Sequence, residues 1–408
     1  VENFTPGVMD KFGLSAKNVY HINPKIIYLS LPGFHDQHSN ELLKNIKSWE
    51  SIIMANTGVF SDMGLNRILL GKNPSFSSLP LASTYASSIG ALGIIMSLYA
   101  RTFHGQGNIL KVSLDFSLME CLVHNSISID NCPERYLNMR EKEIARRKKL
   151  KLPMNLNYNQ VCKLMDPFFS IYFCKDNRPI YLVAPSHKQH HLRVLEALDI
   201  DSNILPDDES YYDTYNWKNN IVLGTYPITC AKKASEIREL MKEKFKKHNA
   251  QHWERIFSAI KVPSCMIRTT KEWINSEHAR GSGLINKDGT PGPLIWLNRG
   301  LKTKCTLTDG PTSNREPYLK GVKVLDLCNV IAGPKICGTL ARYGAEVIKL
   351  DPEKPMYDPI VTIILGIPHN KGKKSILVDL KKDKEILKKL VSWADIVVIN
   401  QTKSQLYT

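Results

Sequence analysis

The chain has 408 residues, of which 43% are hydrophobic and 23% charged, and it carries a formal net charge of +16. That balance belongs to folded globular protein and excludes a mostly disordered or collagen-like chain, and the length leaves room for two or three compact units. The basic excess points to a nucleic acid, an anionic surface or a small polyanionic ligand as the class of partner.

In chain order, the run NPKIIYLSL from Asn23 to Leu31 predicts a buried strand, β-branched and aromatic after Asn-Pro. Leu79 to Phe103 predicts a long apolar helix. Its core, IGALGIIMSLYA between Ser88 and Ala100, is bounded by polar residues and reads as too short to span a bilayer. GQG at Gly105 to Gly107 then turns the chain into the strand ILKVSL, with a helix resuming from Phe116 to Leu122. Residues from about 131 to 166 are polar with a helical pattern. They include the densest basic cluster, REKEIARRKKLK (Arg140 to Lys151), whose interspersed acids mark a solvated helix face. PIYLVAPS is a strand, KKASEIRELMKEKFKKH and AQHWERIFSAI are amphipathic helices, and VPSCMIR is a further strand. After the linker candidate PTSNREP, the strand GVKVLDL, the helix KICGTLARYG, the strands AEVIKLD and SILVDL, a Lys-rich helix and the strand ADIVVIN form a β-α-β series. Such alternation predicts an α/β architecture with parallel pairing.

The nine cysteines, from Cys121 to Cys337, form no CxxC pair and no metal-ligand spacing with histidine. The expectation is a reducing cytoplasm and no metal. No leader is read at Val1, and the start reads as a cut in a longer chain. The aromatic pattern of RNA-binding domains is absent, so neither a nucleic acid nor a membrane is the expected partner.

VENFT at Val1 to Thr5 returns as VINQT at Val398 to Thr402, a matching strand exit that predicts a tandem repeat with a period near 400 residues. GVKVLDLCNVIAGPKICGTLARYGAEVIKLD, then NKGKKSILVDLK, then ADIVVIN resembles the opening of class III (CaiB/BaiF-type) CoA-transferases. VENFTPGVMDKFGL resembles the continuation of that same motif, followed by NPKIIYLSLPGF, GQG, WERIFSAIKVPS and HARGSGL. The resemblance implies that residues 1–300 are the later part of a first copy, 301–320 a linker, and 321–408 the Rossmann-like opening of a second copy. It also implies an open parallel sheet with helices on both faces plus a smaller α/β domain. CoA or an acyl-CoA is then a substrate and a carboxylic acid the other, with the site formed by pairing with a second copy in the same chain or in a homodimer. Among tandem members the pattern is most similar to the dimethylsulfoniopropionate CoA-transferase/lyase type, with LDPFFSIYFCKDNRPIYLVAPSH and KLDPEKPMYDP carrying the likeness.

The family moves CoA through an aspartate that attacks the acyl-CoA thioester, a carboxylate being both nucleophile and leaving group. By resemblance, Asn3 and Phe4 of VENF and Lys11 and Phe12 of MDKF are CoA contacts, Lys47 is a CoA-binding lysine, and Glu50 lies near the reaction centre. In the second copy, the segment Val330, Ile331 and Ala332 receives the adenine end, and Lys373 lies near the phosphates. Cations and close backbone amides suit phosphates. Read singly, Asn3 could cap a turn, Phe4 could pack in the core and Lys47 could be an ordinary surface lysine. Asp326 and Asp379 read as strand-end or capping carboxylates.

Counting from Gly105, the family's catalytic aspartate falls on Phe116, and Asp115 is one residue early. On a strand that displacement would turn the side chain to the opposite face. A racemase relative would need histidine where Trp49 stands. Asp115 and Glu50 therefore remain the catalytic candidates of the first copy, beside the alternative that this copy is a silent CoA-binding or scaffolding module for an active second one. Should the chain fold alone, its last 88 residues are expected to dock on the first copy in circularly permuted fashion.

Overall fold

The computed structural model describes residues 1–35, 43, 46–62, 76–126, 146–153, 166–184, 188–205, 231–296, 309–353, 366–379 and 382–401. Most of the expected 131–166 helical stretch, the first part of the linker and KLDPEKPMYDP beyond Glu353 lie outside them. The chain divides into two compact units, residues 1–156 with 307–408, and residues 157–306.

The first unit opens with the short helices α1 (Val8–Lys11) and α2 (Ala16–Ile22), the latter capped by the Ser15 side chain on the Asn18 amide. Strand β1 (Ile27–Ser30) follows, then α3 (Glu50–Asn56), α4 (Leu81–His104), β2 (Asn108–Lys111) and α5 (Leu114–Ser126). β1 and β2 pair in parallel, and Glu2 bridges Ser30 on β1. The GQG turn has a steric cause. Gly105 ends α4 in the left-handed region, φ 71°, and a Cβ on Gly107 would lie 1.8 Å from the Ile26 carbonyl oxygen, so only glycine lets β2 approach β1 there.

Helix α4 forms where Leu79 to Phe103 predicted it, and at 24 residues it is by length and composition long and apolar enough to cross a membrane, which the shorter core from Ser88 to Ala100 did not suggest. Ala82, Ala86, Gly90, Met96, Ser97 and Ala100 are buried in the unit, with Gly90 against Leu29 of β1.

The second unit holds β3 (Phe169–Phe173), β4 (Pro179–Val183), α6 (Lys188–Ala197), α7 (Ala231–Phe245), α8 (Ala250–Ala259) and β5 (Ser264–Met266). The expected parallel pairing fails here, because β3, β4 and β5 form an antiparallel sheet. The connection between β3 and β4 is a tight turn through Asn177, φ 56°, too short for the crossover a parallel pair requires. Phe168, Tyr172, Phe245, Trp253 and Phe257 centre its core. At about 1.5–3 kcal/mol for each large apolar side chain buried, these rings supply much of the drive to fold. Asp166 is fully buried beside them, and burial pushes its carboxyl up to about 8 against the opposing Phe168 amide and Arg238.

The remainder of the first unit is β6 (Lys323–Asp326), α9 (Ala332–Arg342), β7 (Glu346–Asp351), β8 (Lys374–Leu377), α10 (Lys384–Trp393) and β9 (Ile396–Val398). The four strands are parallel in the order β8-β7-β6-β9. Their core includes Val324, Cys337 and Val347, and Met96 of α4 packs into it with Leu92 and Tyr99. Leu319, from the segment read as a linker, is buried in the same cluster and its amide donates to the Tyr343 carbonyl. Glu120 of α5 fastens the two halves of the unit, meeting Arg342 at 2.5 Å and Lys335 at 3.0 Å. Residues 307–408 thus build one compact unit with residues 1–156, through contacts with α4 and α5.

Candidate functional site

The candidate reaction centre of the first copy lies where β1 and β2 run out. Helix α5 starts directly after this point, with the amides of Leu114 and Asp115 donating to the carbonyls of Pro32 and Gly33. Asp115 therefore stands in the first turn of a helix and not on a strand, so a one-residue displacement is a rotation of about 100° and not a reversal of face. Its carboxylate accepts from the His35 amide at 3.2 Å and the Phe116 amide at 2.7 Å. Phe116 is 59% exposed and stacks flat on the His35 ring, with centroids 4.5 Å apart. A Cβ on Gly33 would lie 1.8 Å from that of Ser48, so the glycine admits the turn carrying Lys47 and Trp49 against this loop. Lys47 is exposed, and Trp49 is 71% exposed.

Glu50 opens α3, but its carboxylate reaches across to the start of α4. It accepts from the Ala82 amide at 2.6 Å, the Ser83 amide at 3.0 Å and the Ser83 hydroxyl at 2.5 Å. Pro80 cannot cap α4 with a side chain, and Glu50 fills that role from another element. Asn3, Phe4, Lys11 and Phe12 line the opening segment, where Phe4 and Phe12 are exposed and the Phe4 amide donates to Glu2.

The second-copy residues converge elsewhere in the unit. Val330, Ile331 and Ala332 join β6 to α9, and Val330 has φ 66°, a rare conformation for a β-branched residue. Lys373 lies beneath this segment with its side chain 1% exposed, and its ammonium donates to Asp326 at 2.7 Å, Pro334 O at 2.8 Å and Asn370 at 3.0 Å. Asp326 also accepts from the Cys328 amide, in keeping with a strand-end carboxylate. Burial pushes the neighbouring His369 down, helped by the charges of Lys335 and Lys373. The hydrogen bond to Cys337, with burial, pushes the Cys328 thiol up. Among the described residues, no hydrogen bond or ion pair joins residues 1–12 to residues 326–335.

Sequence reasoning missed Asn400, whose amide bonds the Asn329 backbone twice, and Lys349, which donates to Cys328 O at 2.8 Å. The repeat held the signal for Asn400, since Asn3 of VEN and Asn400 of VIN are counterparts. Lys349 closes the GAEVIK run that carries the family resemblance, but no role was read for it. No group of three or more histidine, cysteine or carboxylate side chains able to hold a metal occurs among the described residues.

The model for CoA-transferase family III matches twice, over residues 1–318 and again over 319–407. The chain belongs to CoA-transferase family III. Its likeness to the CoA-transferase/lyase DddD of Marinomonas sp. (strain MWYL1) is 37% identity across the whole chain, covering 53% of that protein. The formyl-CoA:oxalate CoA-transferase of Afipia carboxidovorans is 31% identical over 29% of this chain and 26% of its own length. The α-methylacyl-CoA racemase of Mus musculus is 23% identical over 73% of this chain and 68% of its own. The family III chain thus spans about half the length of the DddD relative. The two matches are contiguous, the second beginning at residue 319.

Proposed function

We propose that this family III chain is part of an enzyme that moves CoA from an acyl-CoA donor to a carboxylic acid, with dimethylsulfoniopropionate as the acceptor and dimethyl sulfide released. The observation that carries the reading is the 37% identity to a CoA-transferase/lyase along the whole chain. Asn3, Phe4, Lys11, Phe12 and Lys47 serve CoA from the first copy, and Val330, Ile331 and Ala332 receive the adenine end from the second. Residues 1–300 and 321–408 are then parts of two tandem copies, working in the cytoplasm. Phe116 occupies the nucleophile's position in the first copy, and Asp115, one residue early, accepts from two backbone amides. The attacking carboxylate, which forms the mixed anhydride and then the enzyme-bound thioester, is therefore assigned to the second copy.

The test uses protein carrying both copies in full, incubated with acetyl-CoA and dimethylsulfoniopropionate. Formation of the new CoA thioester together with dimethyl sulfide is the expected result. Unchanged acetyl-CoA would overturn the transferase reading. Transfer to other acids but not to this one would overturn the acceptor alone.

A further inference from the structure

The backbones of β6 and β9 part company after the Leu327 amide donates to the Val398 carbonyl. Past that point a side chain continues the ladder. The Asn400 Oδ1 accepts from the Asn329 amide at 2.9 Å, and its Nδ2 donates to the Asn329 carbonyl at 2.8 Å. The N–H and C=O of one residue point the same way only in extended backbone, as in a hydrogen-bonded strand pair, so this two-point grip holds Asn329 extended. The next residue is Val330 in the left-handed region. A conformation that poor for valine persists only where its surroundings over-determine it.

Those surroundings can be named. Gln401 donates to Leu327 O, Lys349 to Cys328 O, the Lys335 amide to Ile331 O and Lys373 to Pro334 O. Among the described residues, Asn400 is the one whose side chain bonds to Asn329, the residue directly before the turn.

We propose that Asn400 is a positioning residue that fixes Asn329 and the left-handed turn at Val330, and through them sets the Val330–Ala332 segment that receives the adenine end of CoA. The ligand in this proposal rests on the CoA reading above, whereas the clamp rests on geometry alone. The work requires a primary amide. Leucine has the same shape but neither the donor nor the acceptor, and a carboxylate would meet the Asn329 carbonyl with a like partial charge.

Asn400→Ala and Asn400→Leu in the 408-residue chain test this through two readouts. Amide hydrogen exchange over residues 327–334 is expected to quicken at least about tenfold in both variants, with exchange in the β3–β4 hairpin unchanged. Affinity for CoA and for adenosine 3′,5′-bisphosphate is expected to fall about tenfold, while affinity for pantetheine, which lacks the adenine end, stays level. Unchanged exchange in both variants would overturn the clamp. An equal loss for pantetheine would overturn the positioning role in favour of general damage. Unaltered chain that bound no CoA would count against the CoA reading alone, and the exchange readout would still decide the clamp.

Discussion

Lys373 gives its three ammonium hydrogens to Asp326, Asn370 and the Pro334 carbonyl, all within 3.0 Å, and the side chains of Lys373 and Asp326 are both buried. Removing one partner of such a pair strands the other as an uncompensated buried charge. Lys373→Met is therefore expected to cost about 3–5 kcal/mol in urea unfolding, and adding Asp326→Leu to recover most of it. Were phosphate contact the lysine's main role, the single variant would instead lose CoA affinity at unchanged stability. The family motif made Val330, Ile331, Ala332 and Lys373 legible as a group, because order and spacing survive in sequence. It could not show that Val330 is left-handed or that Asn400 grips its neighbour, since both depend on where two strands diverge. Glu50 illustrates the same limit. An acid was expected near the reaction centre, but which amides a carboxylate meets is decided by the element opposite, here the uncapped start of α4.

The strands and helices that alternate most regularly, β6 to β9 with α9 and α10, were legible because parallel strands leave short apolar runs between turns, although only β6 and β7 are largely buried. The start of α5 was not. KVSL reads as continuing strand, yet the ladder stops at Lys111 and the helix begins at Leu114, its first amides taken by Pro32 and Gly33. That tertiary contact changes the meaning of the Asp115 displacement. The same helix carries Glu120, the tie to α9. Burial alone would raise this carboxyl, but the hydrogen bonds from Arg342 and Lys335 outweigh it and hold it below its ordinary 4.5. A depressed carboxylate contributes stability that is present above its unfolded value and lost as pH falls through the folded one. The expected outcome is that Glu120→Gln destabilises the first unit by about 1–2 kcal/mol at neutral pH and flattens the loss of stability below pH 4.5. An unaltered acid limb in thermal melts from pH 3 to 7 would show that the tie carries no weight.

At the scale of the whole chain, the compact units and the family matches divide the sequence differently. The second family match begins at residue 319, whereas residues 307–408 fold with residues 1–156. Helix α4 and the β6–β7 sheet share one core through Met96, Val324 and Val347, which on the tandem reading proposed above joins the opening of one copy to the later part of the other. The second unit was less legible in topology than in content. Its apolar periodicity was clear, but pairing direction depends on the length of the turn at Asn177, which a strand pattern does not encode. On the reading proposed above, this unit offers a CoA site built from both family matches. Isothermal titration of the 408-residue chain with CoA at two salt concentrations tests it most directly. The expected result is saturable micromolar binding that weakens as salt screens the phosphates; an absence of saturable heat at millimolar CoA, at either salt concentration, would contradict the proposed site.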